Sequence, residues 1–302
     1  MTFTSTGSIS VVTADGNRLR LSNPTSCGRD GLHVWLKAAL RQWEELPEEG
    51  RRPGAIEVGE LENPDPRFDA FRPPSGALIV RVANRRLARE ADGSLRYLRA
   101  DDLDAGQLRH LDRVREPAND FMWVPQEEWR AMVPRDPRAG DTVAVPDAFV
   151  LRLLDHHVNP HLGLMGAGAF GRQSLDAARL TLTVEESSSK TVRLKLAGDL
   201  ALEQDHRDGT TLSYRPAVLG YITYDVPKEA VTRFDMLVLG EEQGRLGGPE
   251  YVSGLFSQPR LLGIAFELVS DPSPAEKIRP HAAKKLEGGP QRYLAPLSLR
   301  GQ

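Results

Sequence analysis

Three of the seven histidines, His156, His157 and His161, fall in one stretch, DAFVLRLLDHHVNPHLGLMGAGAFG, from Asp147 to Gly171. Imidazole titrates near neutral pH and is the commonest metal-ligating side chain, so any chemistry is expected to concentrate there. On a helix beginning at Asp147, His157 follows Leu153 by four positions and Leu154 by three, which turns it toward the apolar face. His156 follows Arg152 by four, so the adjacent rings diverge. A helical metal pair needs ligands at i and i+4, and only His157 and His161 offer that spacing, across Pro160, which ends a helix one residue earlier. A divalent metal such as zinc would therefore need His156, His157 and His161 with Asp155 as carboxylate, or a loop that brings in His110 or His206. The competing reading is structural: protonated imidazoles gather at a helix C-terminus because their charge complements its dipole.

Other residue types point to chemistry less directly. Gly166-Ala167-Gly168-Ala169-Phe170-Gly171 is a literal GxGxxG, but it follows a helix and precedes strand-like sequence, the reverse of a dinucleotide site. A hinge is the expectation, with no bound nucleotide cofactor. Cys27 precedes a helix that carries His33, which permits a thiol nucleophile, yet Asp30 adds negative charge beside it and a lone cysteine commonly packs as a small core residue. The pairs Glu127-Glu128, Glu185-Glu186 and Glu241-Glu242 occupy adjacent positions that diverge on any element, so they read as solvated surface. Ser187 to Ser189 lacks a GxSxG elbow. Tyr214, Tyr221, Tyr224, Phe234, Tyr251 and Phe256 suit either a cavity lining or a core.

The elements that must position these residues follow from pattern. Asp15-Gly16 supplies the positive φ of a tight turn between the alternating runs 8–13 and 18–21, so a hairpin opens the chain. Asp30 to about Leu46 reads as a helix from apolar repeats that include Leu36, Leu40 and Trp43, and Pro47 stops it. A strand at Ala55 to Val58, a hairpin of Ala77 to Ala88 with Leu95 to Leu98, and a helix over Asp102 to Arg115 come next. Trp123 and Trp129 flank the start of a brief helix, Gln126 to Val133. Beyond Gly171 the apolar period changes to two: Leu180, Leu182 and Val184, then Val192, Leu194 and Leu196, then Phe234, Met236 and Val238. Successive strands without intervening helices make an antiparallel sheet.

The expected fold is α+β: a mixed N-terminal part with small hairpins and short helices, then a C-terminal antiparallel sheet arranged as a meander, sandwich or open barrel. By segment, 1–145 forms the α+β part, 146–171 the linking helix and glycine-rich hinge, 172–270 the β domain and 271–302 a proline- and lysine-rich strap or tail.

Composition narrows function. A chain of 302 residues with 40% hydrophobic and 27% charged residues is ordinary globular material. A net charge of −3 with interspersed signs gives no field for nucleic acid or an anionic membrane. One cysteine excludes an internal disulfide and a multi-thiolate zinc site. No signal-peptide pattern opens the chain and no long apolar window follows, so a cytoplasmic protein is expected. Because the size is ample and no specific catalytic constellation is present, the expectation is a non-enzymatic ligand-binding or protein-assembly module without a cofactor, with a protein or small molecule as partner and homo-oligomerisation left open. The alternative is a metal-dependent enzyme using His156, His157 and His161.

Overall fold

A computed structural model of the chain describes residues 9–13, 18–22, 29–51, 72–103, 118–158, 175–205, 211–244, 258–273, 276–285 and 289–295. Two compact units are present, Met1–Pro66 and Arg67–Gln302.

The first unit holds an antiparallel hairpin, β1 (Ile9–Val12) and β2 (Arg18–Ser22), with Ile9 opposite Ser22. Helix α1 (Arg29–Glu44) lies against β2, and a single turn, α2 (Glu48–Arg51), follows. Trp35 and Ala39 of α1 are buried, whereas Leu36, Leu40 and Trp43 are 46%, 52% and 38% exposed. The apolar arc of this helix is wider than the surface that covers it.

The second unit is organised by one antiparallel sheet. Its strands are β3 (Leu78–Arg89), β4 (Leu95–Tyr97), β5 (Ala118–Val124), β6 (Thr142–Ala144), β7 (Leu175–Ser187), β8 (Thr191–Asp205), β9 (Thr211–Asp225), β10 (Ala230–Gln243) and β11 (Arg260–Leu268). They run in the order β4-β3-β11-β10-β9-β8-β7-β6, with β5 beside β4 along the other side of β3, and the sheet is not closed. β7 to β10 form a meander, as the period-two pattern predicts. β3 to β6 join the same sheet, so it draws strands from both sides of the 147–158 stretch.

Parity sorts the side chains. Even positions of β8 (Val192, Leu194, Leu196, Leu200, Leu202) and β9 (Leu212, Tyr214, Val218, Ile222) turn to one face, joined by Phe234, Met236 and Val238 of β10. Leu78, Val80 and Val82 of β3 share that face with Ile264 and Phe266 of β11. Two short helices lie over it, α3 (Gln126–Ala131) and α4 (Asp147–Arg152). Trp129 packs near Tyr224 and Phe149 meets Phe234 edge-on at 5.9 Å between ring centroids. Trp123 and Trp129, which flank the start of α3, are both buried.

Strands this long need relief where backbones crowd. Gly198 of β8 adopts φ +152°, and a Cβ there would meet the Arg179 carbonyl oxygen of β7 at 1.7 Å, so only glycine fits. Pro216 of β9 has no N–H to donate, and the β8–β9 pairing passes from Asp199–Ala217 to Leu202–Tyr214 around it.

The C-terminal residues carry two more short helices, α5 (His281–Lys285) and α6 (Gly289–Leu294). They pack on the opposite face of β3 and β5, where Ile79, Trp123, Ala283 and Tyr293 form a second apolar cluster. The buried Asp120 carboxylate of β5 accepts from the His281 backbone N–H at 2.8 and 3.1 Å, which fixes the start of α5.

Candidate functional site

The histidine stretch begins as expected with α4, then departs from α-helical geometry. Leu153–His157 forms a π turn, closed by the Val158 N–H donating to the Leu153 carbonyl at 2.6 Å. A wider turn resets the positions that face inward, and such turns recur at functional sites. The regular helical period directs His157 inward and His156 away. In the structure both are interior, His156 at 7% exposure and His157 fully buried.

Four elements converge on them. Arg152 at the end of α4 is fully buried and forks onto Glu128 of α3, Nε to Oε2 at 2.7 Å and a terminal nitrogen to Oε1 at 2.5 Å. Its third nitrogen donates to the Tyr293 carbonyl of α6 at 2.6 Å, and the guanidinium carbon lies 4.8 Å from the Tyr293 ring centroid. The Tyr293 hydroxyl then meets β5 and the π turn together: it accepts from the Trp123 N–H at 3.1 Å, donates to the Trp123 carbonyl at 3.2 Å and sits 2.8 Å from His157 Nε2. With its one proton directed to Trp123, the hydroxyl takes the proton of an Nε2–H histidine, and every hydrogen-bonding site of the phenol is used. Because Trp123 N–H and C=O both reach this hydroxyl, it caps the side of β5 that faces away from β3.

Burial sets the charge states. It pushes His157 well below the ordinary imidazole value, with His156 and the Arg152 cation adding to the effect. Burial likewise brings His156 down to about 4, helped by Arg152. Both rings are therefore neutral near pH 7, which corrects the picture of solvated imidazolium ions at a helix end: the helix end is inside the protein. Burial raises the Tyr293 phenol, so it stays protonated. Burial works against the Arg152 charge, but Glu128 and Tyr293 together outweigh it and the guanidinium is held above its usual value.

Exchanging Tyr293 for phenylalanine would leave three buried polar groups, the Trp123 N–H and carbonyl and His157 Nε2, without this partner. A stability loss of about 1–3 kcal/mol is expected, read from the urea midpoint of Tyr293→Phe. A change within experimental error would show that water replaces the hydroxyl.

The histidine rings stand 6.2 Å apart at 83°. Asp155 is half-buried, and among the described residues no three His, Cys, Asp or Glu side chains gather as metal ligands do. Neither His156 nitrogen has a hydrogen-bond partner among the described residues. His161, Cys27, His110, His206, the glycine run 166–171, the 55–58 strand, Tyr251 and Phe256 lie outside the described residues, as does all but the first two residues of the helix expected over Asp102 to Arg115.

Two expected surface carboxylates are in the core. Glu128 is buried on Arg152, and Glu242 of β10 is buried against Arg86 of β3, Nε to Oε1 at 2.5 Å, reaching across β11. Burial raises the Glu242 carboxyl while Arg86 pulls it the other way. Tyr214 beside it is buried and donates to the Leu262 carbonyl at 3.0 Å. The signals were present: Arg152 sits inside FVLRLL with apolar residues on every side, and Arg86 and Glu242 continue the inward parity of Leu78-Val80-Val82 and Phe234-Met236-Val238.

Away from α5 and α6, described side chains on the sheet's other face over β8 to β10 are exposed or part-exposed. Across its middle, register places Ala197, Leu219, Leu237 and Ala265 side by side on four neighbouring strands, followed by Ala83. Leu219 and Leu237 are directly opposite one another and 45% and 44% exposed. One flanking row reads Lys195, Tyr221, Asp235, Glu267 and Arg81, with Arg81 on Glu267 at 3.1 Å. On the other flank an open depression of about 470 Å³ is lined by Asp199, Arg215, Leu239 and Glu241 among others.

Compared with protein-family models, curated proteins and solved structures, the chain matches none. Among the described residues, no helix is long and apolar enough to cross a membrane.

Proposed function

We propose that the protein is a non-enzymatic assembly module that holds a partner protein on the open face of its sheet. The observation that carries this reading is the exposed cross-strand pair Leu219 and Leu237, set in an apolar row with a row of mixed charge on one flank and, on the other, a row that Asp199 and Arg85 close at its ends. An apolar centre with a polar rim is how protein recognition surfaces are built. Small-molecule sites instead enclose most of their ligand, and the depressions here are open. Opposed leucines on a solvated face gain only a modest cross-strand contact, and a partner that covers them removes their apolar surface from water.

The test compares wild type with Leu219→Asp/Leu237→Asp, both immobilised and exposed to extract from the source cells. Proteins retained by wild type and lost from a variant of unchanged circular dichroism support the reading. Identical retention by both overturns it. So does turnover of hydrolase or oxidase substrates that disappears on changing His156, His157 or His161.

The alternative is a metal-dependent enzyme, and what favours it is His156, a buried imidazole whose two nitrogens have no partner among the described residues. Elemental analysis of untagged protein decides it: a stoichiometric divalent metal supports that reading, and its absence removes it.

A further inference from the structure

We infer that the protein self-associates through α1, two copies crossing antiparallel at Leu40. This surface belongs to the first unit and is separate from the sheet face proposed above.

Helical periodicity places Leu36, Leu40 and Trp43 within one narrow stripe, since successive residues turn by about 100°. Trp35 and Ala39, on the adjoining part of the arc, are buried, while the stripe itself is part-exposed, with the Arg51 guanidinium carbon 5.5 Å from the Trp43 ring centroid. A helix that buries only half its apolar arc has a second contact to make. The charges beside the stripe say with what. Lys37 and Glu44 both lie on its outer flank, seven residues apart, and both are exposed. In an antiparallel two-fold pair the same flank of each helix comes together, and residues whose numbers sum to about twice the crossing residue lie opposite one another. Crossing at Leu40 sets Leu40 on Leu40 of the second copy and Leu36 beside its Trp43. The same register sets Lys37 against Glu44 of the second copy, and Glu44 against its Lys37. Apolar and charged positions select one register, which is what a self-complementary two-fold contact requires. A parallel pairing would instead bring opposite flanks together, and Lys37 and Glu44 of the two copies would not meet.

A stripe of three large side chains per copy is smaller than a standard interface of about 1,600 Å², so the dimer is micromolar or weaker. Sedimentation equilibrium of the full chain from roughly 5 to 500 µM measures it. The expected result is a reversible monomer–dimer equilibrium that Leu40→Asp abolishes while circular dichroism stays unchanged, because Leu40 is half exposed in the monomer. Lys37→Glu should weaken the dimer about 5- to 10-fold, and adding Glu44→Lys should restore it, since the swap rebuilds both symmetric pairs. The proposal is overturned by a wild type that is monomeric throughout, as it would be if another protein or another part of the chain covers the stripe. It is equally overturned by a dimer that survives Leu40→Asp, or by a charge swap that fails to restore association. Leu219→Asp/Leu237→Asp should leave this equilibrium unmoved, so the sheet-face reading and this one fail independently.

Discussion

Arg152→Ala is expected to destabilise the protein by about 3–5 kcal/mol, the largest effect of any single substitution considered. The reason is the group left behind more than the group removed. Glu128 is 5% exposed, and without the guanidinium its carboxylate stays buried beside apolar residues. The Tyr293 carbonyl loses its donor as well. Arg152→Met/Glu128→Leu removes both charges and keeps the volume, so it should recover most of the loss, because a buried ion pair in isolation is seldom better than well-packed hydrocarbon. Urea unfolding of the three proteins measures this. A single variant within about 1 kcal/mol of wild type would mean that solvent reaches the pair.

Acidification from pH 7 toward pH 4 should destabilise the fold before its carboxylates are lost. His156 has a folded-state value of about 4 against 6.5 for the free side chain. Below pH 6.5 the unfolded chain therefore takes up a proton that the folded one refuses. Stability is intact above about pH 6.5, falls as pH drops through the interval, and levels off below about pH 4. The difference corresponds to about 3 kcal/mol from this ring, and His157, also lowered by burial, adds in the same direction. Glu242 opposes it: its raised carboxyl takes a proton in the fold first, which favours the fold as pH falls through that value. Comparison with His156→Phe isolates the imidazole. Urea midpoints at pH 7.5, 6.0, 5.0 and 4.5 should fall less steeply in the variant, and equal slopes would remove His156 as the cause.

The class of the fold was legible because parity holds along β8 and over Phe234 to Glu242 of β10, and burying one face of a sheet fixes its register. The meander followed from those strands with no need of their partners. What stayed hidden is what depends on partners distant in sequence. Glu128 and Arg152 are 24 positions apart and Arg86 and Glu242 are 156, so nothing local distinguishes a paired core carboxylate from a solvated one. Arg86 shares the parity of Leu78, Val80 and Val82, but a lone arginine in that series carries no local sign of the carboxylate it meets. The histidines were found, yet with the wrong charge state, because a regular helical period does not foresee a π turn that takes both rings inside. Tyr293 carried no local signal at all: its role comes from meeting Trp123, 170 positions away.

That hydroxyl has a further consequence for handling the chain. By occupying Trp123 N–H and C=O, it fills the place where an incoming strand would bind, as a stopper fills a socket. Truncation before residue 289, or proteolytic trimming there, would uncover a template beside Phe121 and Trp123 to which other molecules could add in register, so the last short helix guards against aggregation as well as closing a core.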